Sequence, residues 1–349
     1  MRVCDIFCGA GGLSYGFGKD DFFKLVMACD IDKNAVLSYK ANHPHTKTIC
    51  KDISRLSQKE LLEFKDIDIL LGGPPCQSYS TLGKRKMDEK ANLFKEYLRI
   101  LRLLKPKAFI FENVLGILSM QKGKLFSYIC ECFSKAGYQT HYALLNAACF
   151  GVPQLRQRVI LVGIKKEFDK KFIMPKANCE KFISLEQAIG DLPQIKSGEN
   201  GDKLGYLHEP DNDFLHFVRK TKFLSEHESP RNNAKLIKLM QTLKDGQSKD
   251  DLPLELRPKS GYANTYAKMH WSQPAPTLTR NFATPSSSRC IHPRDSRALS
   301  IREGARLQSF PDDYIFCGSA SDKRLQIGNA VPPLLSMELA KAVKRYFGG

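Results

Sequence analysis

Within the first 112 residues, four short apolar runs at 3–7, 25–29, 67–71 and 108–111 alternate with longer stretches, such as 32–42 and 93–104, that carry helical periodicity. Apolar runs of this length bounded by turn residues read as buried strands, and their alternation with helices demands a mainly parallel sheet covered on both faces. A further helix is expected near 123–137. The runs at 140–145 and 159–164 then follow with no helix between them, so they are expected to extend the sheet as an antiparallel pair. The expected fold is α/β: a Rossmann-like mixed sheet with helices on both faces, plus a smaller loop-rich domain.

The rhythm fails at about residue 168. From there to about 295 the chain is polar, mixed in charge and rich in Pro, Asn, Ser and Asp, with one clear helical stretch at 233–243 that ends at Asp245-Gly246. Periodicity returns after Ser300, with helices expected at 301–309 and 332–346, the second starting on proline. The expected division is a sheet domain of 1–167 plus 326–349, a second domain of 168–295, and a connecting segment of 296–325. A chain of 349 residues, 42% hydrophobic, has the length and apolar content for two such bodies.

The formal net charge of +17 points to a polyanionic partner, because lysines and arginines that neutralise phosphates release counterions. The excess is spread along the chain and is not gathered in a tail. The cysteines number 11, an odd count, with no C-x-x-C spacing, and Cys4, Cys29 and Cys149 sit in apolar surroundings. Such cysteines read as reduced core thiols of a cytosolic protein. No signal-like start and no 18-residue apolar run is present, so a soluble cytoplasmic protein without a membrane span is expected.

Chemistry gathers where the strands end. The first run leads into Phe7-Cys8-Gly9-Ala10-Gly11-Gly12, a turn that lets backbone approach a ligand closely. A dinucleotide pattern beginning at Gly9 and Gly11 finds Ser14 where its third glycine belongs, which favours a nucleoside ligand without a pyrophosphate. Asp30, just past the second run, is placed to hold ribose hydroxyls, and Asp52 follows a possible short third strand. Singly, each acid could equally be a solvated helix cap.

The run at 67–71 stops at Gly72-Gly73-Pro74-Pro75 and is followed at once by Cys76. Glycine and proline together force a stiff exit that presents the thiol at the carboxyl edge of the sheet. Beyond it, Lys84-Arg85-Lys86 reads either as a solvated loop or as a phosphate-gripping lid. The next strand ends at Glu112, a carboxyl expected to be partly desolvated and so raised toward proton donation. Neighbouring strands would set Cys76 and Glu112 side by side. Arg156 and Arg158 are expected to share one strand face by period two, where they would suit an anion or a polarised carbonyl.

In order, the blocks at 5–17, Asp30, Asp52, 73–80, 112–114, 154–158, 297–311 with Arg306-Leu307-Gln308-Ser309-Phe310-Pro311, and Gly328-Asn329-Ala330-Val331-Pro332 resemble the DNA (cytosine-5) methyltransferase family. The match covers nearly all of the chain outside its variable middle. It implies a sheet domain that binds S-adenosylmethionine, leaving S-adenosylhomocysteine as product, and a target-recognition domain, with double-stranded DNA between them and no metal. It implies Cys76 as nucleophile, Glu112 at the cytosine N3 and amine, and Arg158 with Arg156 at the base carbonyl and the active-site carboxylates. It further implies Phe7 against the adenine, Asp30 on the ribose and Asp52 near the adenine amine. Gly9, Gly11, Gly12, Ile31, Ile53, Pro75, Leu93 and Asn329 complete the cofactor pocket, and Gln77, Ser80, Lys84, Arg85, Lys86 and Thr277 touch DNA. A monomer is implied, with a cognate restriction endonuclease acting on the same site but not stably bound. Pro74, Ile31 and Lys90 depart from residues common in the family, often Phe, a large aromatic and Arg respectively.

The chemistry is coherent. A thiolate that adds to C6 makes the otherwise inert C5 of cytosine electron-rich, and a stacked base must leave the duplex to be reached. The nearest alternative is a tRNA cytosine-5 methyltransferase of the same architecture. A nucleotide-dependent oxidoreductase is disfavoured by Ser14, and a catalytically silent DNA-binding relative by the presence together of the cysteine, glutamate and both arginines.

Overall fold

The computed structural model describes residues 1–75, 84–259 and 265–348, with the backbone alone for 84–92. Strands β1 (Arg2–Ile6), β2 (Lys24–Asp30), β3 (Lys47–Cys50), β4 (Ile69–Gly72) and β5 (Ala108–Val114) are parallel. Strands β6 (Tyr138–Asn146) and β7 (Gln157–Lys165) close a seven-stranded sheet of order β3-β2-β1-β4-β5-β7-β6, with β7 antiparallel to both of its neighbours. The expected antiparallel extension is thus present. Helices of the first half are α1 (Gly12–Gly18), α2 (Lys33–Asn42), α3 (Gln58–Leu62), α4 (Lys84–Leu104) and α5 (Lys124–Lys135). Then come α6 (Leu185–Ile189), α7 (Asp213–Val218), α8 (Ala234–Thr242), α9 (Ile301–Leu307), α10 (Ala320–Asn329) and α11 (Pro333–Phe347).

The chain forms two compact units. The first comprises Met1–Asn146, Gln157–Lys176 and Leu335–Gly349; the second comprises Ala147–Arg156 and Ala177–Leu334. The first is an apolar body. On one sheet face Tyr97, Phe109, Phe111, Phe133 and Tyr138 are buried together, with the Phe109 and Phe133 rings 4.3 Å apart. Phe109 lies opposite Gly163 in the β5–β7 ladder, and a Cβ at Gly163 would fall 1.9 Å from its ring, so only glycine leaves room for it. On the other face, within the same unit, Ser336 of α11 accepts from the Gly16 amide at 2.9 Å and donates to the Leu13 carbonyl.

The second unit is held differently. All of α9 is buried, capped by reciprocal Ser300–Glu303 bonds. Arg297 donates to both Glu303 oxygens, at 2.8 and 2.7 Å, and Arg306 donates to both Asp312 oxygens, at 2.9 and 2.7 Å, and to Asp191. Residues 296–325, expected as a connecting segment, therefore supply the polar centre of the second unit. The second unit also runs on to Leu334, past the boundary expected at 326, and takes in 147–156 as well.

One local expectation also changes. Lys84, Arg85 and Lys86 do not lie in a loop; they begin α4, which starts nine residues before the apolar stretch at 93–104. Among the described residues no helix is long and apolar enough to cross a membrane, and the described cysteines are free thiols.

Candidate active site

The glycine turn closes over the carboxyl ends of β1 and β2. Phe7, Gly9 and Gly11 all take positive φ, at 63°, 51° and 97°, so the chain doubles back tightly before α1 starts at Gly12. Asp30 pins the turn: its Oδ2 accepts from the Gly9 amide at 2.8 Å and its Oδ1 from the Asp32 amide at 3.0 Å. Burial raises the Asp30 carboxyl above its ordinary value, although these amide donors oppose the shift. A Cβ built on Gly9 would meet nothing within 4 Å, so the turn presents an open side.

Around this cradle Phe7 and Leu93 are half-buried against the core of the unit, Ile53 is buried within it, and Ile31 stands 69% exposed. Asp52 follows β3 and caps the turn Ile53–Arg55 through Oδ1, which accepts from the Ser54 hydroxyl at 2.7 Å and the Ser54 amide at 2.9 Å. Those bonds lower its carboxyl below the ordinary value and leave Oδ2 outside the cap.

Strands β4 and β5 are hydrogen-bonded neighbours, with Gly72 opposite Phe111. A Cβ on Gly73 would meet Glu112 Oε2 at 2.8 Å, and Asn113 Nδ2 donates to the Pro74 carbonyl at 3.1 Å. The carboxylate of Glu112 thus lies against the turn that leads to Pro75, an exposed residue. Val114 faces Arg158 in the antiparallel ladder, which puts Arg158 on the face of Glu112 two residues along; Arg158 Nε bonds Glu112 Oε1 at 2.9 Å. Both side chains are largely shielded, at 12% and 13% exposure.

Arg156 departs from expectation. Strand β7 begins at Gln157, so the period-two face does not extend back to Arg156. Its buried guanidinium donates instead to the carbonyls of Leu278 at 3.0 Å, Gly328 at 2.9 Å and Ala330 at 3.0 Å, all within the second unit. Gln154 works beside it, donating to the Leu307 carbonyl and accepting from the Leu278 amide. Thr277 is half-buried and donates to the Leu155 carbonyl at 2.6 Å, and Asn329 is the exposed last residue of α10.

Cys76, Gln77 and Ser80 lie outside the described residues, as do the side chains of Lys84, Arg85 and Lys86.

Sequence reasoning passed over one group. Asp5 is 1% exposed in the middle of β1; its Oδ2 accepts from Ser14 Oγ at 2.5 Å, and the Tyr39 hydroxyl donates to Ser14 at 2.8 Å. The signal was present: an acid interrupting an otherwise apolar run.

A mixed seven-stranded sheet carrying a glycine turn after its first strand is the class I methyltransferase fold. A crystal structure assigned as a DNA modification methyltransferase encoded within an E. coli prophage superposes with a TM-score of 0.83 at 23% identity, over 100% of both chains. Type II methyltransferase M.DdeI of Desulfomicrobium norvegicum is 38% identical, over 99% of this chain and 89% of its own length. Type II methyltransferase M1.HphI of Haemophilus parahaemolyticus is 34% identical, over 98% of this chain and 86% of its own. The model of the C-5 cytosine-specific DNA methylase family matches residues 1–345, and the chain belongs to that family as a DNA (cytosine-5)-methyltransferase. The family transfers methyl groups to cytosine in DNA, and membership implies use of S-adenosylmethionine.

Proposed function

We propose that the chain methylates C5 of a cytosine flipped out of a specific duplex sequence, through a covalent bond between Cys76 and C6. The observation that carries this reading is the seat of Glu112: its carboxylate lies against Gly73, three residues before Cys76, and is held there by Arg158. Cys76 attacks C6 as a thiolate. Glu112 enters as the neutral acid: one oxygen accepts from the exocyclic amine and the other gives its proton to N3 as the ring accumulates charge, which leaves Glu112 as the carboxylate. Arg158 keeps the carboxylate facing the base and offers its remaining donors to the base carbonyl. After transfer, loss of the C5 proton restores the double bond and expels the thiolate.

The residues present fit S-adenosylmethionine. The open side of Gly9 leaves space for a ligand, and a buried carboxylate oxygen of Asp5 has no hydrogen-bond partner among the described residues. When bound, the cofactor supplies an electrophilic methyl group. Asp30 would take the ribose hydroxyls, Phe7 and Ile31 would flank the adenine, Asp52 would accept from its amine, and Ile53, Pro75 and Leu93 would line the remainder.

Gln77, Ser80, Lys84, Arg85, Lys86 and Thr277 contact DNA in this reading, and residues 168–295 read its sequence. The enzyme works as a cytoplasmic monomer beside a restriction endonuclease of matching specificity, a pairing supported by the Type II designation of its relatives. DNA carrying 5-fluorocytosine tests the chemistry: wild type forms a stable adduct and Cys76→Ser forms none, while an adduct in the mutant refutes the nucleophile. Methyl transfer to duplex DNA and to tRNA, run side by side, separates this reading from a tRNA-modifying one.

A further inference from the structure

The amino edge of the sheet, opposite the candidate active site, carries a charge imbalance that methyl transfer does not use. There an open cleft of about 390 Å³ is lined by Arg102, Lys105, Lys135, Lys165 and Lys166, with Glu167 the one acid among its lining residues. It forms where α4 and α5 end, β6 begins and β7 ends, all within the first unit. Lys165 lies seven positions along β7 from Arg158, about 23 Å at the rise of an extended strand.

Structural duties account for part of this charge. The carboxyl ends of two helices carry about half a negative charge each and together attract about one cation. Lys166 serves one of them, its Nζ donating to the Ser134 carbonyl at 3.0 Å and to the Ser134 hydroxyl at 3.2 Å. Lys135 pairs with Glu131 at 2.6 Å, and Lys165 with Glu167 at 3.5 Å. That leaves Arg102 and Lys105, both exposed and neither in an ion pair among the described residues. Elsewhere along this edge the cations are matched: Arg2 pairs with Asp66, Lys47 with Glu63 and Lys107 with Asp68. The excess is therefore local to the cleft.

The backbone points the same way. Helix α5 is followed by Gly137 at φ 95°, the residue type that takes the left-handed conformation without strain. Helix α4 is followed by Lys105 at φ 48°, whose amide donates to the Leu101 carbonyl at 2.9 Å. A lysine is strained in that conformation where glycine is not, and what it adds is a charge beside the cleft.

We infer that this cleft holds the phosphate backbone of a second DNA segment, bound without regard to sequence while the carboxyl edge serves the first. Among the described lining residues nothing suits a base or a sugar: the ring of Tyr138 is buried, and its hydroxyl donates to the Pro106 carbonyl at 2.8 Å. Lysines are point charges on long stems, which suit repeated phosphates better than one shaped ligand. A second segment held in this way gives the enzyme a path between stretches of DNA without full release.

Sedimentation of the full chain with duplexes of about one helical turn, about 10 bp, at low salt tests this. Wild type should take up two duplexes, and Arg102→Gln/Lys105→Gly/Lys135→Gln one. Because Lys105→Gly relieves the left-handed strain, the variant should fold. A control with the same loss of charge at exposed positions on the β2–β3 side, Lys40→Gln/Lys47→Gln/Lys59→Gln, should still take up two. The second step should carry a log–log salt slope of about −3, for roughly three phosphates neutralised. Release of a labelled duplex from wild type should speed up in proportion to unlabelled competitor, and release from the cleft variant should not. One duplex on wild type, or two on the cleft variant, overturns the inference. Pyrophosphate identifies the ligand: a one-to-one calorimetric titration that the cleft variant loses would make this a small-anion site and overturn the DNA assignment. Single-turnover methyl transfer should be unchanged in the cleft variant; its loss would tie these cations to the first duplex and overturn a separate second segment.

Discussion

The two units solve the same problem with opposite materials. The sheet unit is an apolar body, its centre filled by the rings of Tyr97, Phe109, Phe111 and Phe133 between one sheet face and its helices. In the second unit the largest fully buried side chains include Arg156, Arg297, Arg302 and Arg306, spent on carboxylates and backbone carbonyls. Apolar packing tolerates local adjustment. A buried ion pair does not, because removing one partner strands the other charge. Failure in the second unit should therefore be abrupt, and failure in the sheet unit graded.

The sharpest way to break this contrast is Arg306→Leu, which takes from Asp191 and Asp312 the guanidinium that bridges them. It should cost about 3–5 kcal/mol, read as a lower urea midpoint, with hydrogen-exchange protection lost first in residues 177–334. If the sheet loses protection first, the contrast is wrong. Acid should act on the same unit. Burial pushes the His292 imidazole down to about 4, so its stabilisation is complete above its unfolded value near 6.5 and is lost as pH falls toward 4, a loss of about 3 kcal/mol. Burial raises the Glu303 carboxyl, but Arg297 more than offsets this and holds it well below the ordinary range, so the loss deepens at still lower pH. Asp5 has the reverse sign: with its folded value raised, the sheet unit weakens as pH rises from the ordinary carboxylate range through about 7. Exchange protection, corrected for intrinsic rates, should fall in the second unit and hold in the sheet between pH 7 and 5.

Arg156→Met should cost about 2–3 kcal/mol, because the carbonyls of Leu278, Gly328 and Ala330 lose a charged donor. Gly163→Ala sets a methyl against the Phe109 ring and should cost about 1–2 kcal/mol, by overpacking, with the loss confined to the sheet. Arg158→Met takes the guanidinium from Glu112 and should remove most turnover, while protection in the second unit stays unchanged. Two arginines two positions apart would then separate, one by calorimetric melting and the other by methyl-transfer rate.

What could be read from sequence follows the same division. Strands announce themselves through local apolar runs, so β1, β2, β4, β5 and the antiparallel β6–β7 pair stood near their expected places, and Glu112 came to rest beside the turn before Cys76. The polar centre of the second unit is invisible to such a reading. Arg306 meets Asp191 across 115 residues, and Gln154 meets Leu307 across 153, separations that leave no periodic trace. Arg156 was misplaced because period two was carried one residue beyond the true start of β7. The α4 start was missed because four cations and two acids in its first two turns gave no apolar stripe to follow.

The short segment Ala147–Arg156 belongs to the second unit although the chain on either side of it belongs to the first. Anyone redesigning which DNA sequence the enzyme reads by grafting in a relative's variable region would naturally exchange one long insert, 177–334. That graft would leave the host's Gln154 and Arg156 behind to grip foreign backbone at 278, 307, 328 and 330. A working chimera needs two cassettes cut from the same donor: the long insert and the ten residues that clamp it.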